Sequence, residues 1–235
     1  MTTATPDVFG LSHIEGAIRD DATLFDQIGA PGDQWVLIRR LIQTYLPCTA
    51  LYGLVMGCFN GPLTAEGWKF ALATMVKVPL LFLLTTAIVL PAIHVSNALM
   101  GGRLRFSQTA ALFMSAMSVS AYMLAACAPI LLFFMLCTDS YPFIKLLNVA
   151  IFGISGLHGI RFFLRGLHHL KVFEGAAGGA VRAWILVWAL VGAQMAWILR
   201  PFIGAVDMPF ALFREQESNF YLNVIQTLLH LVQDL

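Results

Sequence analysis

The densest run of chemically capable side chains is Gly156-Leu157-His158-Gly159-Ile160-Arg161-Phe162-Phe163-Leu164-Arg165-Gly166-Leu167-His168-His169-Leu170-Lys171. On a helix His158, Arg161, Arg165 and His169 fall at i, i+3, i+7 and i+11, which is one stripe. Two His and two Arg lack the carboxylates or thiolates that complete a metal shell, so no metal is expected. A basic stripe continued by Lys171 suits anionic lipid headgroups or the acidic surface of a partner, at about 1 kcal/mol per basic residue near a charged leaflet. Ordinary basic flanking of a membrane helix would produce the same stripe.

A second set is scattered: Lys77, His94, Asn97, Asn148 and Gln194 are polar side chains within apolar runs. Together they could line a path for a small solute or ion. Lys77, in Met75-Val76-Lys77-Val78-Pro79, suits an anion site beside the carbonyl that Pro79 leaves without a helical donor. Alternatively it snorkels toward the polar end at Trp68-Lys69. His94, past Pro91, is either part of a pocket opened between two prolines or an interface His with ordinary helix-helix bonds. No Asp or Glu falls in an expected span, which argues against a carboxylate proton relay. No Gly-rich phosphate loop, HExxH or carboxylate pair occurs, and no Ser or Cys has a His at helical spacing and shared depth. The expectation is a non-enzyme with no cofactor. Cys58 and Cys137 lie toward one face, where a disulfide is permitted if their Cα atoms approach closely enough.

The elements that must position these residues follow from composition. Of 235 residues 59% are hydrophobic and 11% charged, at a mean hydropathy of +0.78. Soluble domains carry about 25% charged residues, so a water-soluble globule and a basic nucleic-acid binder are both excluded. Five runs are candidates for the ~20 apolar residues that a bilayer-crossing helix needs: Leu41–Phe59, Phe70–Leu99, Thr109–Leu136, Phe143–Leu164 and Ala183–Leu199. The first is the least apolar and could instead be re-entrant or interfacial. Nine Lys and Arg (positions 19, 39, 40, 103, 105, 161, 165, 171 and 182) flank one side, against four (69, 145, 200 and 214) on the other. The excess places the N-terminus in the cytoplasm and the C-terminus outside, in an inner (plasma) membrane.

No signal peptide opens the chain. Residues 1–38 read as a cytoplasmic amphipathic arm. Ser12 to Glu15 has capping-box spacing, Leu11, Ile14 and Ile18 follow a helical period, and Ala22, Phe25 and Ile28 could continue the apolar face before Gly29-Ala30-Pro31-Gly32 breaks it. Residues 39–200 form the transmembrane bundle. Residues 201–235 form an extracytoplasmic arm, in which Tyr221, Val224, Ile225, Leu228, Val232 and Leu235 make a stripe suited to the bilayer surface or a partner. Gly53 and Gly57, the Gly153-Gly156-Gly159 series and the ridge Ala111-Ser115-Ser118-Tyr122 mark close helix contacts.

Two passages carry a family resemblance. Ile18-Arg19-Asp20-Asp21-Ala22-Thr23-Leu24-Phe25-Asp26-Gln27-Ile28 has the short amphipathic opening, with Asp21 in place of a proline. Gly102-Arg103-Leu104-Arg105-Phe106-Ser107-Gln108 leads into a span that carries Pro129. Both resemble bacterial Yip1-like five-span membrane proteins, over less than a tenth of the chain. The resemblance implies a helical bundle with a role in membrane organisation and supplies no catalytic residue. The expectation is an all-α polytopic bundle serving as an interaction or accessory subunit of a membrane-associated assembly. Its partners would be the lipid bilayer and other membrane or peripheral subunits, not nucleic acid; a small-solute transporter or channel is the alternative.

Overall fold

A chain segment surrounded by hydrocarbon must satisfy every backbone N–H and C=O itself, and a helix does this within one segment. The computed structural model describes residues 21–60, 67–99, 102, 104–172, 178–203, 211–212 and 220–233, which form helices and turns without a strand. In chain order the helices are α1 (Asp21–Gly29), α2 (Trp35–Gly57, closed by the 3-10 turn Cys58–Asn60), α3 (Gly67–Leu99), α4 (Phe106–Cys137), α5 (Tyr141–His169), α6 (Gly178–Ile198) and α7 (Phe220–Gln233). Three of them, α3, α4 and α5, are long and apolar enough to cross a membrane. At 33, 32 and 29 residues they measure roughly 45–50 Å, more than the ~30 Å of a hydrocarbon core. The apolar stretch of α6 is shorter, Ala183–Ile198. Each helix begins before its apolar run because the flanking polar residues continue the same backbone; α5 extends past Leu164 through Arg165 to His169.

α4 is the hub. Every residue from Gln108 to Ser118 is buried, because α2, α3 and α5 pack around it and α1 covers its first turns. Its small and hydroxylated residues permit this: Ser115, Ser118 and Ser120 return their hydroxyls to the carbonyls of Ala111, Met114 and Ala116. These three hydroxyls are thereby satisfied within α4 itself. Along the chain the helices alternate in direction. Gly53 of α2 lies against Thr74 of α3 and Gly57 against Ala71, Gly159 of α5 beside Ala116 and Gly166 beside Leu112, and Gly192 of α6 beside Thr85. The consequence is that α2, α4 and α6 start at the end of the bundle where α3 and α5 finish.

That end is closed by α1. Leu24, Phe25 and Ile28 are buried, at about 1.5–3 kcal/mol each. Phe25 packs on Phe162 at 5.0 Å between ring centroids, and the bare Cα of Gly166 makes room for it. The turn into α2 is held by Gln34, whose Nε2 donates to the carbonyls of Gln27 and Ala30, and by Gln108 Nε2 donating to Gly29 O at 3.2 Å. The expected capping box at Ser12–Glu15 and the stripe Leu11-Ile14-Ile18 lie outside the described residues. Ala22, Phe25 and Ile28 fall on α1 as one short helix.

Glycine spacing alone treats the glycines of α2 and α5 as equivalent, and the packing separates them. A Cβ at Gly57 would lie 2.6 Å from Ala71 Cα, a backbone atom that cannot yield, whereas at Gly153 it would meet nothing within 4 Å. Gly57→Ala is therefore expected to destabilise the bundle by about 1–3 kcal/mol, and Gly153→Ala to stabilise it by about 0.5–1 kcal/mol through helix propensity. Thermal unfolding of the two variants in one detergent checks the opposed signs.

Candidate functional site

The basic end of α5 is built on the last three turns of that helix. His158 Nδ1 lies 2.9 Å from Ile154 O; since a carbonyl only accepts, this nitrogen carries the proton and Nε2 is left outward. Arg161 is exposed. Arg165 donates to Asp21 Oδ2 at 2.5 Å, with its guanidinium 5.6 Å from the Phe162 ring centre. His169 Nε2 lies 2.7 Å from Asp26 Oδ1, beside the Phe25 ring at 5.5 Å. Lys171 is exposed and has φ 48°. This left-handed residue ends α5 by letting Val172 N–H reach Leu167 O and Lys171 N–H reach His168 O, the bonding pattern in which glycine is commonest.

The stripe is therefore divided. Arg165 and His169 bond the carboxylates of the chain's own N-terminal helix, while His158, Arg161 and Lys171 face outward. That Asp21 and Asp26 are their partners is not evident from the residue pattern alone. The signal available was an acid pair on a short apolar-faced helix and a basic pair four residues apart.

The structure does not gather the scattered polar residues into one site. Lys77 and Asn97 stand 20 positions apart on α3, about 30 Å. Lys77 is buried rather than snorkelling outward: its Nζ donates to Pro201 O at 3.0 Å and to Leu212 O, and it lies 5.9 Å from the Phe202 ring centre. One turn earlier Thr74 Oγ1 donates to Phe202 O at 2.8 Å. These two side chains give donors to the carbonyls of Pro201, Phe202 and Leu212, which lie outside the helices. Asn148 Oδ1 accepts from Tyr52 OH at 2.7 Å and its Nδ2 donates to Ile144 O, joining α2 to α5 inside the bundle. One turn earlier on the same helix Lys145 Nζ meets Thr227 Oγ1 at 2.8 Å and fastens α7. Tyr52, Thr74 and Thr227 were not singled out from sequence, since a hydrogen bond over 96 positions leaves no local pattern.

His94 Nδ1 is 3.3 Å from Thr109 Oγ1 and its ring stands edge-on to Phe106. Asn97 is buried, with Nδ2 3.5 Å from Leu104 O, and its backbone carbonyl accepts from Gly102 N–H. α3 runs on as helix through Pro79 and Pro91. Beside Asn97 and Thr109 is a cavity of about 20 Å³, closed by Ile93, Leu104, Leu112, Phe163, Leu167 and Trp184. It has room for about one water molecule. Gln194 is half-buried on α6. Cys58 and Cys137 are free thiols, as are Cys48 and Cys127. Among the described residues no group of His, Cys, Asp and Glu could hold a metal ion.

No family model matches the chain, and neither a curated protein nor a solved structure is found to resemble it.

Replacing Lys77 by Met keeps the bulk and removes both bonds to the segment after α6. We expect chymotryptic cleavage after Phe202 and Leu212 to rise at least several-fold. Thermal unfolding of the bundle should shift less than it does for Tyr52→Phe, which leaves Asn148 Oδ1 buried and unbonded at about 1–3 kcal/mol. Limited proteolysis and unfolding of the two variants side by side measure both.

Proposed function

We propose that the chain is a membrane protein crossing five times, through α2 to α6, with its N-terminus cytoplasmic and its C-terminus outside. In this reading it acts as a non-catalytic interaction or accessory subunit of a membrane-associated assembly. The crossing of α2 is supported by its interior. Tyr45, Thr49 and Tyr52 are buried, and Ser118 Oγ of α4 reaches Leu41 O at 3.5 Å near one end, so α2 lies alongside the hub and parallel to it. Alternating helix directions bring Arg39, Arg40, Arg105, Arg161, Arg165 and Lys171 to one end of the bundle, which suits a cytoplasmic face.

The observation that carries the functional reading is the use of the intramembrane polar groups. Lys77 and Asn148, with Lys145 at the flank, each bond a part of the same chain distant in sequence, which is the work of holding a scaffold together. The two arms then stand at opposite ends, α1 with α4 and α5, and α7 with α5 and α6. An inner-membrane location and a role in membrane organisation, as in the Yip1-like family, belong to the same proposal.

Cross-linking in native membranes followed by affinity capture tests the role. A partner recovered in fixed ratio to this chain is expected, and a chain that comes out of cross-linked membranes alone as a monomer contradicts the reading. Liposome flux gives the second arm. Wild-type protein should pass small ions no faster than empty vesicles, and a robust flux abolished by Lys77→Ala would assign the chain to transport instead.

A further inference from the structure

We propose that the outward face of α5 from Leu157 to Lys171 binds the phosphate of an anionic phospholipid, with Arg161 as its main ligand. Asp21 and Asp26 of α1 withhold Arg165 and His169 from that site. The inference deepens the membrane reading above and rests on α5 crossing the bilayer.

Along this one face α5 changes character within a turn. Ile154 and Leu157 are about half exposed, at 48% and 54%, and suit acyl chains. Arg161 follows at i+4 from Leu157, exposed and forming no ion pair among the described residues. It stands eight positions before the end of the helix, about 12 Å, so its charge emerges where the apolar surface stops rather than at the aqueous tip. A guanidinium at that level can hold a phosphate through two parallel N–H bonds.

One turn further on the basic face is already occupied. Arg165 and His169 are bonded to Asp21 and Asp26, and α1 cannot readily move away because Leu24, Phe25 and Ile28 are buried beneath it. This arrangement favours lipid over an acidic protein. A partner arriving from the aqueous end meets the carboxylate of Asp26, 74% exposed, before it meets Arg161. A lipid phosphate approaches from the bilayer side and avoids that repulsion.

The test counts bound lipid by native mass spectrometry on the full chain in mild detergent, offered phosphatidylglycerol or phosphatidylcholine. Phosphatidylglycerol should be retained in preference. Arg161→Gln should lower its retention about fivefold, the weight of one cation near a headgroup, while Arg161→Lys, which keeps the charge and loses the paired N–H bonds, should fall between the two. Asp21→Asn should raise retention by freeing Arg165. Inorganic phosphate in excess should leave the lipid bound; displacement would assign the site to a free anion and overturn the lipid. Equal retention of the two lipids, or an Arg161→Gln protein that retains as much as wild type, overturns the site. Unchanged retention in Asp21→Asn overturns the part given to α1. Because the count is made in detergent, it is independent of how the chain threads the membrane, which only labelling across an intact bilayer reports.

Discussion

The structure depends on one constraint: a polar group carried into an apolar layer must find its bond inside the protein, because there is no water to supply one. The three longest helices bond nearly all of their backbone internally, the exceptions being the carbonyls one turn before Pro79, Pro91 and Pro129. Most buried side chains answer in one of two ways, while Tyr45 OH and Ser155 Oγ stay buried without a hydrogen-bond partner among the described residues. Serines and threonines return their hydroxyls to the preceding turn of their own helix, as Ser115, Thr85 and Thr86 do. The larger groups reach across to another element, as Tyr52 does to Asn148 and Lys77 to Pro201. Without the second kind, irregular segments such as the one following α6 could not lie against the bundle.

Close approach is the other side of the same constraint. Helices in lipid gain little from the hydrophobic effect on meeting one another, so they associate by fitting tightly. Gly53, Gly57, Gly159 and Gly166 each sit where a methyl group would strike a neighbouring helix. They line α2 and α5 where these helices meet α3 and α4. The hub helix α4 can therefore be enclosed from Gln108 to Ser118, while its second half keeps Leu124, Ala128 and Leu131 buried on one face and exposes Phe133 (61%) and Leu136 (79%) on the other.

Much of this was legible in the residue pattern, and what escaped shares one physical cause. Long apolar runs located α3, α4, α5 and α6 to within several residues, since hydropathy is a local property. α2 was the least distinct because Thr44, Tyr45, Thr49 and Tyr52 lower its hydropathy. Those residues are buried against other helices, so what counted against the helix as a span is part of its interior surface. Glycine spacing marked contact faces but could not tell the packed Gly159 from the open Gly153. The stripe on α5 was visible as a row of cations; that its last two members meet Asp21 and Asp26 follows from α1 folding back over 143 positions, which no periodicity encodes. Likewise Lys77 stood out as a charge in an apolar run, and the carbonyls that hold it lie over 120 positions away.

The central claim is that α2 belongs to the same apolar layer as α3 and α4, although its own hydropathy is lower. It is tested most directly by placing single cysteines at positions 33 and 139, in the turns before α2 and after α4, in a chain whose four native cysteines are replaced. Each is then labelled in intact cells with a membrane-impermeant maleimide. Three crossings lie between the two positions, so the account predicts that position 139 reacts from outside and position 33 reacts only after the membrane is opened. Labelling of both from the same side would mean that α2 does not cross, and would contradict it.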